Sequence, residues 1–469
     1  MLKWSAFNDN NQFLFLNDLL LGPIFIIIVL FFCNNYIKNK KNPIYKKYFI
    51  NALIVRFASA IIMALIYQFY YEGGDTQTYY IYALRIREVF SESKSDFFYL
   101  MLRSSHEFDV LNRIFDTGAG FYTDHSSNFI IRLTVILCYF LLNTYILVSF
   151  VFSLFCFYGC WKIFTLFQQL YPHLEKEFAF ACLFLPSVCF WGTGILKDPI
   201  SLGALGMLTY HVYMLFFERK KTIGRIFIII ACFWILKIVK FYILLAFLPA
   251  YSFWIIYRLK ETINSKFLRF LFGPVIFSIA IIIGGFVLYK IAAYSQRYSF
   301  ESIIITAMDT QNWLYYSSLR DGGSGYSLGN IDFTPLGILK AAPKAINVSL
   351  FRPYIWEAKK IILIPAALEG LLSLFITIRL LYKAGFIRFL KIILTNPEVQ
   401  FCLIFSLIFA FAVGFTSYNF GTLARYKIPL MPFYFIALFI IADKENKIEL
   451  NEKSIPIKKK PLTNKPVLS

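Results

Sequence analysis

The chain has 469 residues, of which 58% are hydrophobic and 20% aromatic, with a mean hydropathy of +0.62 and a formal net charge of +20. This excludes a soluble globular domain: apolar runs of about 20 residues recur along the whole length, and each can cross a bilayer core as a helix. The 47 Lys and Arg residues gather in short loops and in the tail, so the excess charge points to the cytoplasmic face of a membrane protein and not to nucleic acid.

Taken in order, the apolar runs predict an all-α, polytopic transmembrane domain over residues 1–442 with about 11 spans. The first covers residues 13–33. Lys38, Lys40, Lys41, Lys46 and Lys47 follow, a basic loop that belongs inside and places the N-terminus outside. The second, 49–71, delivers the chain to a long extracytoplasmic loop, 72–128, whose recurring apolar residues fit amphipathic helices lying on the outer surface. Residues 129–142 are apolar but short, which suits a re-entrant or interfacial segment. Spans follow over 144–167, 178–195, 202–217, 226–241, 242–257 and 267–290. A second extracytoplasmic loop, 291–360, precedes spans 361–381, 401–416 and 428–442. The Lys-rich tail, 443–469, reads as a disordered cytoplasmic end. All eight cysteines lie within apolar runs without a CxxC pair, so they read as small hydrophobes and not as a disulfide framework.

This orientation collects the unusual polar groups on one face. Glu72-Gly73-Gly74-Asp75 follows directly on an apolar run, so Asp75 sits at the water–membrane boundary behind two glycines that allow a sharp turn. Its carboxylate fits a general base, a metal ligand together with Glu72, or the N-cap of a helix over residues 76–89. Lys197-Asp198-Pro199 follows Trp191-Gly192-Thr193-Gly194, a pattern for a close-packed, broken helix. The two charges read either as an ion pair at a helix start or as the lining of a cavity. Arg320 lies in a Gly-rich stretch of the second loop, where a plain surface loop and a ligand-covering loop both fit. Arg352 and Glu357 could pair with each other, and Glu369 with Lys240 or another buried cation. In the last outer turn, 419–427, Arg425 and Lys427 break the rule that short outer loops avoid basic residues. Arg425 suits a phosphate through forked hydrogen bonds, while anchoring of the turn at lipid headgroups is the plainer alternative.

An acid after an early span, opening a long outer loop, together with Asn419-x-Gly421-Thr422-x-x-Arg425-Tyr426 before Pro429 and Pro432, resembles the GT-C superfamily of integral-membrane glycosyltransferases. The resemblance implies a GT-C-like fold in the bacterial inner membrane. It implies transfer of a sugar from a polyprenyl-phosphate donor to a glycan, lipid or protein acceptor on the extracytoplasmic face. It also implies Asp75 as general base, or as ligand of a divalent metal such as Mg or Mn with Glu72 nearby. Arg425 and Tyr426 would bind the donor phosphate, with Lys197, Asp198, Arg352, Glu357 and Arg320 as further substrate contacts. In this chain the acid follows the second span, and its acidic neighbour is three residues away instead of adjacent. A polysaccharide polymerase or ligase resting on Arg297, Arg320 and Arg352 is one alternative. A transporter or flippase for a lipid-linked precursor is another, although it predicts internal repeats that the sequence lacks.

Overall fold

The computed structural model describes residues 12–103, 120–218, 222–261, 325–329 and 331–454, with isolated positions between 308 and 316. Among them every named element is helical. In chain order the helices are α1 (Leu16–Lys38), α2 (Ile50–Phe69, entered through a π turn at Tyr45–Phe49), α3 (Asp75–Glu92), α4 (Lys94–Leu102), α5 (His125–Phe140) and α6 (Tyr145–Leu170). After the interrupted run described below, with α7 at Pro186–Trp191, come α8 (Lys197–Phe217), α9 (Thr222–Val239) and α10 (Phe241–Glu261). The last group is α11 (Pro335–Phe351), α12 (Ile364–Ala384), α13 (Phe386–Thr395), α14 (Pro397–Thr416), α15 (Phe420–Tyr426) and α16 (Met431–Ser454).

Among the described residues eight helices are long and apolar enough to cross a membrane, or up to nine if the bent pair α15–α16 counts as one span. The polytopic helical architecture thus stands, with fewer spans among the described residues than the expected 11. Two reasons account for the difference. Residues 267–290 lie outside the described region. The segment expected to span 178–195 is instead an α-turn (Glu175–Ala179), a π turn (Phe180–Phe184) and α7, broken where Leu185 turns extended before Pro186. Proline has no N–H to continue the preceding helix but fits the first turn of the next one.

The centre of the bundle is α6 against α8. Gly159 lies against the backbone of Gly203 and Gly206, where a methyl group would stand 2.3 Å from the Gly203 carbonyl oxygen. Small residues let the two backbones approach, a packing suited to apolar surroundings where no hydrophobic gain separates helix from lipid. At the periphery α1 presents Leu19, Ile27, Phe31 and Phe32 outward, as a lipid-facing helix does.

The bundle has two chemically different ends. One end gathers Asp75, Lys197, Lys240 and Arg425. The other carries Lys47 with Glu175, Arg258 with Glu398, and Arg388 with Glu445. Helix α1 starts at the first end, where Asp18 accepts the Ile146 N–H, and α16 finishes at the second, where Asp443 pairs with His173. The first long loop supplies α3, α4 and α5, and the second supplies α11, which packs on α14 through Ser349 donating to the Ala410 carbonyl. Most of residues 129–142, expected to be re-entrant or interfacial, forms the larger, C-terminal part of α5, which packs on α3 and is capped by Asp124. The tail differs from its disordered reading at its start, since α16 continues through Ser454.

Candidate functional site

The site begins where α2 ends. Glu72, Gly73 and Gly74 all have positive φ, at 52°, 146° and 127°. This left-handed stretch reverses the chain between α2 and α3. At Gly74 a side chain would also meet the Tyr67 ring at 2.8 Å. Helix α3 then starts at Asp75 itself, with Gly74 in the N-cap position. The capping role considered for Asp75 is therefore not the one it takes. The next residue, Thr76, is fully buried, and its hydroxyl sits 2.7 Å from the Tyr145 hydroxyl and accepts the Ile195 N–H at 3.0 Å. It pins the start of α3 to the start of α6 and to the irregular segment before α8.

That irregular segment is the broken helix expected from Trp191-Gly192-Thr193-Gly194. Gly194 has φ +76°, and a methyl group on Gly192 would stand 2.0 Å from the Arg56 guanidinium. Helix α8 opens at Lys197, with Pro199 in its first turn. Lys197 and Asp198 do not pair with each other. The helix start turns them in different directions and each takes other partners.

Asp198 and Asp75 meet on Arg425. Arg425 lies in the last turn of α15, a short helix in place of the expected open turn, whose N-terminus is capped by Asn419 accepting the Gly421 and Thr422 N–H groups. Its Nη1 donates to Asp75 Oδ2 at 2.5 Å and its Nε to Asp198 Oδ2 at 2.6 Å. The second oxygen of Asp198 accepts from Lys240 Nζ at 2.5 Å. Lys240 comes from the junction of α9 and α10, so it pairs with Asp198 and not with Glu369. The Tyr426 ring lies 4.9 Å from its ammonium. Two carboxylates and two cations from four parts of the chain thus balance at one end of the bundle. Burial separates their roles: the Asp198 side chain is 0% exposed and that of Lys240 5%, while that of Asp75 is 35% exposed. Asp198 holds two cations in place from within, and Asp75 is the carboxylate that faces outward.

A second pair stands beside this cluster. Lys197 donates to Asp124 at 2.8 Å and to Ser126 at 2.7 Å, and Asp124 also accepts the Ser127 N–H as the cap of α5. Partial burial pushes the Asp124 carboxyl up, but the charge and hydrogen bond of Lys197 and the Ser126 and Ser127 hydroxyls outweigh it and hold it well below its ordinary value.

The remaining expected residues are more distant in role. Arg352 forms a forked pair with Glu357, which also accepts the Tyr354 N–H at 2.9 Å. Burial raises the Glu357 carboxyl, and the Arg352 and Tyr354 hydrogen bonds bring it below its usual range. Lys427 donates to the Arg352 carbonyl at 3.4 Å, and Glu369 accepts both the N–H and the hydroxyl of Ser187. Arg320 and Arg297 lie outside the described residues. At Asp75, considered with Glu72 as a metal ligand, Arg425 stands directly on the carboxylate, and among the described residues no group of three or more His, Cys, Asp or Glu side chains is arranged to hold an ion. Sequence reading missed Asp124 and Thr76 as site builders. The Asp124-x-Ser126-Ser127 capping pattern was the available signal for the first. The chain matches no protein-family model, no curated protein and no solved structure.

Proposed function

We propose that this protein is a GT-C-like glycosyltransferase of the bacterial inner membrane, acting at the end of the bundle that carries Asp75. The observation that carries the reading is Arg425 bridging an outward-facing carboxylate and a buried one, with a second cation behind. The short basic connections at the opposite end support placing that end in the cytoplasm and the site on the extracytoplasmic face.

In this reading the acceptor hydroxyl attacks the anomeric carbon of a polyprenyl-phosphate sugar. The new C–O bond forms as the bond from that carbon to the phosphate oxygen breaks. The hydroxyl proton passes to Asp75 and the lipid phosphate leaves. Arg425 and Lys240 stabilise the departing phosphate, with Lys197 adjacent. In this structure Arg425 Nη1 occupies Asp75 Oδ2, the oxygen that would take the proton. An incoming phosphate competes for Nη1, while Asp198 keeps Nε and so keeps the guanidinium in place. Donor binding thereby frees the base at the moment it is needed. Arg352 is already engaged by Glu357, so the arginine-based polymerase reading gains no support from it.

The test is transfer in vitro by the purified protein, from a panel of synthetic polyprenyl-phosphate sugars, with release of polyprenyl monophosphate as readout. The wild type should release it from at least one donor, Asp75→Asn should not, and Lys240→Met should raise the KM for the donor. Release by Asp75→Asn at the wild-type rate would overturn the assignment.

A further inference from the structure

A cavity of about 680 Å³ opens at the same end of the bundle, bounded by the start of α1, one side of α3 and the junction of α5 and α6. It is separate from the ion cluster. Arg87, which lines it, lies 12 residues after Asp75 on α3, about 18 Å along the axis at 1.5 Å per residue.

Two charged groups besides Arg87 line the cavity, and each has its partners. Asp18 accepts the Ile146 N–H at 2.7 Å and the Phe15 N–H at 2.9 Å. Glu88 stands 3.5 Å from Arg85, which also pairs with Glu92. Arg87 differs. Its guanidinium carbon lies 4.8 Å from the centre of the Tyr139 ring, its Nε is buried without an acceptor, and no carboxylate among the described residues pairs with it. An N–H buried without an acceptor is costly, and the guanidinium of the half-buried Arg87 is a donor set that matches the oxygens of a phosphate.

The walls say what else the ligand carries. Leu16 and Leu142 line the cavity and are 69% and 68% exposed, and Phe90 lies beside them. Leu16 continues into the apolar outward face of α1, so the mouth opens toward lipid and not only toward water. The stacked Tyr139 ring and the amides of Asn17 and Asn143 sit at the level where span and interface meet.

The geometry points to a binding site for an anionic phospholipid, its phosphate on Arg87 and its chain along Leu16, Leu84 and Leu142. This site is independent of the transferase reading.

The test is native mass spectrometry of the detergent-purified full chain with three probes: phosphatidylglycerol, diacylglycerol and glycerol 3-phosphate. The wild type should retain phosphatidylglycerol and bind neither of the others. Arg87→Ala should lose retention by about tenfold or more, equivalent to one charge-assisted hydrogen bond. Arg87→Lys, which keeps the charge and guards against a folding defect, should fall between them. Leu84→Trp, filling the cavity with Arg87 intact, should also lose the lipid, while Asp75→Asn should keep it. Equal retention by Arg87→Ala and wild type, or equal retention of diacylglycerol, would overturn the site. Glycerol 3-phosphate bound as tightly as the lipid would overturn the lipid as its ligand.

Discussion

Replacing Asp198 by Asn tests whether the ion cluster is built from the inside. The substitution keeps the shape and one acceptor oxygen but removes the charge that holds Arg425 and Lys240. Arg425 still has Asp75, whereas Lys240, 5% exposed, is left with the Tyr426 ring and no carboxylate among the described residues. Stranding a buried charge in this way costs about 3–5 kcal/mol. Asp75→Asn breaks one pair whose carboxylate is 35% exposed, and a pair that open to solvent contributes less than about 1 kcal/mol. The structure therefore separates stability from activity. Asp198→Asn lowers the unfolding midpoint of the detergent-purified protein, followed by tryptophan fluorescence, far more than Asp75→Asn does. The double variant Asp198→Asn with Lys240→Met recovers part of the loss, because neither charge is then left alone. An Asp198→Asn midpoint equal to the wild type, or a larger loss in Asp75→Asn, would refute the reasoning.

Gly74→Ala should cost about 1–3 kcal/mol, since φ is +127° and the added methyl meets Tyr67, and it should lower transfer by moving Asp75; an unchanged unfolding midpoint would count against the turn geometry. Arg56, 1% exposed, donates to the Val188 carbonyl at 2.6 Å beside the break before α7. Arg56→Ala empties that space and leaves the carbonyl with the Gly192 N–H alone, so thermal unfolding should show a loss of more than about 2 kcal/mol. Asp124 carries a pH signature. Its carboxyl is held below the 3.8 it has in the unfolded chain, so the stabilisation is complete above that value and is lost as pH falls through it toward the folded value. Between about pH 6 and about pH 3 the wild-type unfolding midpoint should therefore fall more steeply than that of Asp124→Asn; parallel curves would contradict the pairing with Lys197.

The hydropathy of the chain is strong enough to place most spans to within a few residues, as α1, α2, α6 and α14 show. It could not place the break at Leu185-Pro186, because the apolar run passes straight through the proline and only backbone chemistry interrupts it. The end of the bundle that holds the site was legible from charge alone: Asp75, Asp198 and Arg425 were all assigned to one face. Their partners were not. Asp75 and Arg425 stand 350 residues apart, and a single sequence has no term linking them. Lys240 was visible as a cation near a membrane turn, yet pairing it with Glu369 or with Asp198 depends on which helices are neighbours. Asp124 was overlooked because helix capping accounts for it locally, and the same oxygen that caps α5 also holds Lys197.

In the proposed reaction Asp75 takes the proton of an acceptor hydroxyl at the outer face. The most direct measurement is mass spectrometry of surface and lipid-linked glycans from cells whose only copy carries Asp75→Asn, with membrane insertion matched to the wild type. The account predicts a glycan lacking one defined sugar, whose missing mass names the donor. A glycan profile identical to the wild type, with the variant inserted normally, would contradict it.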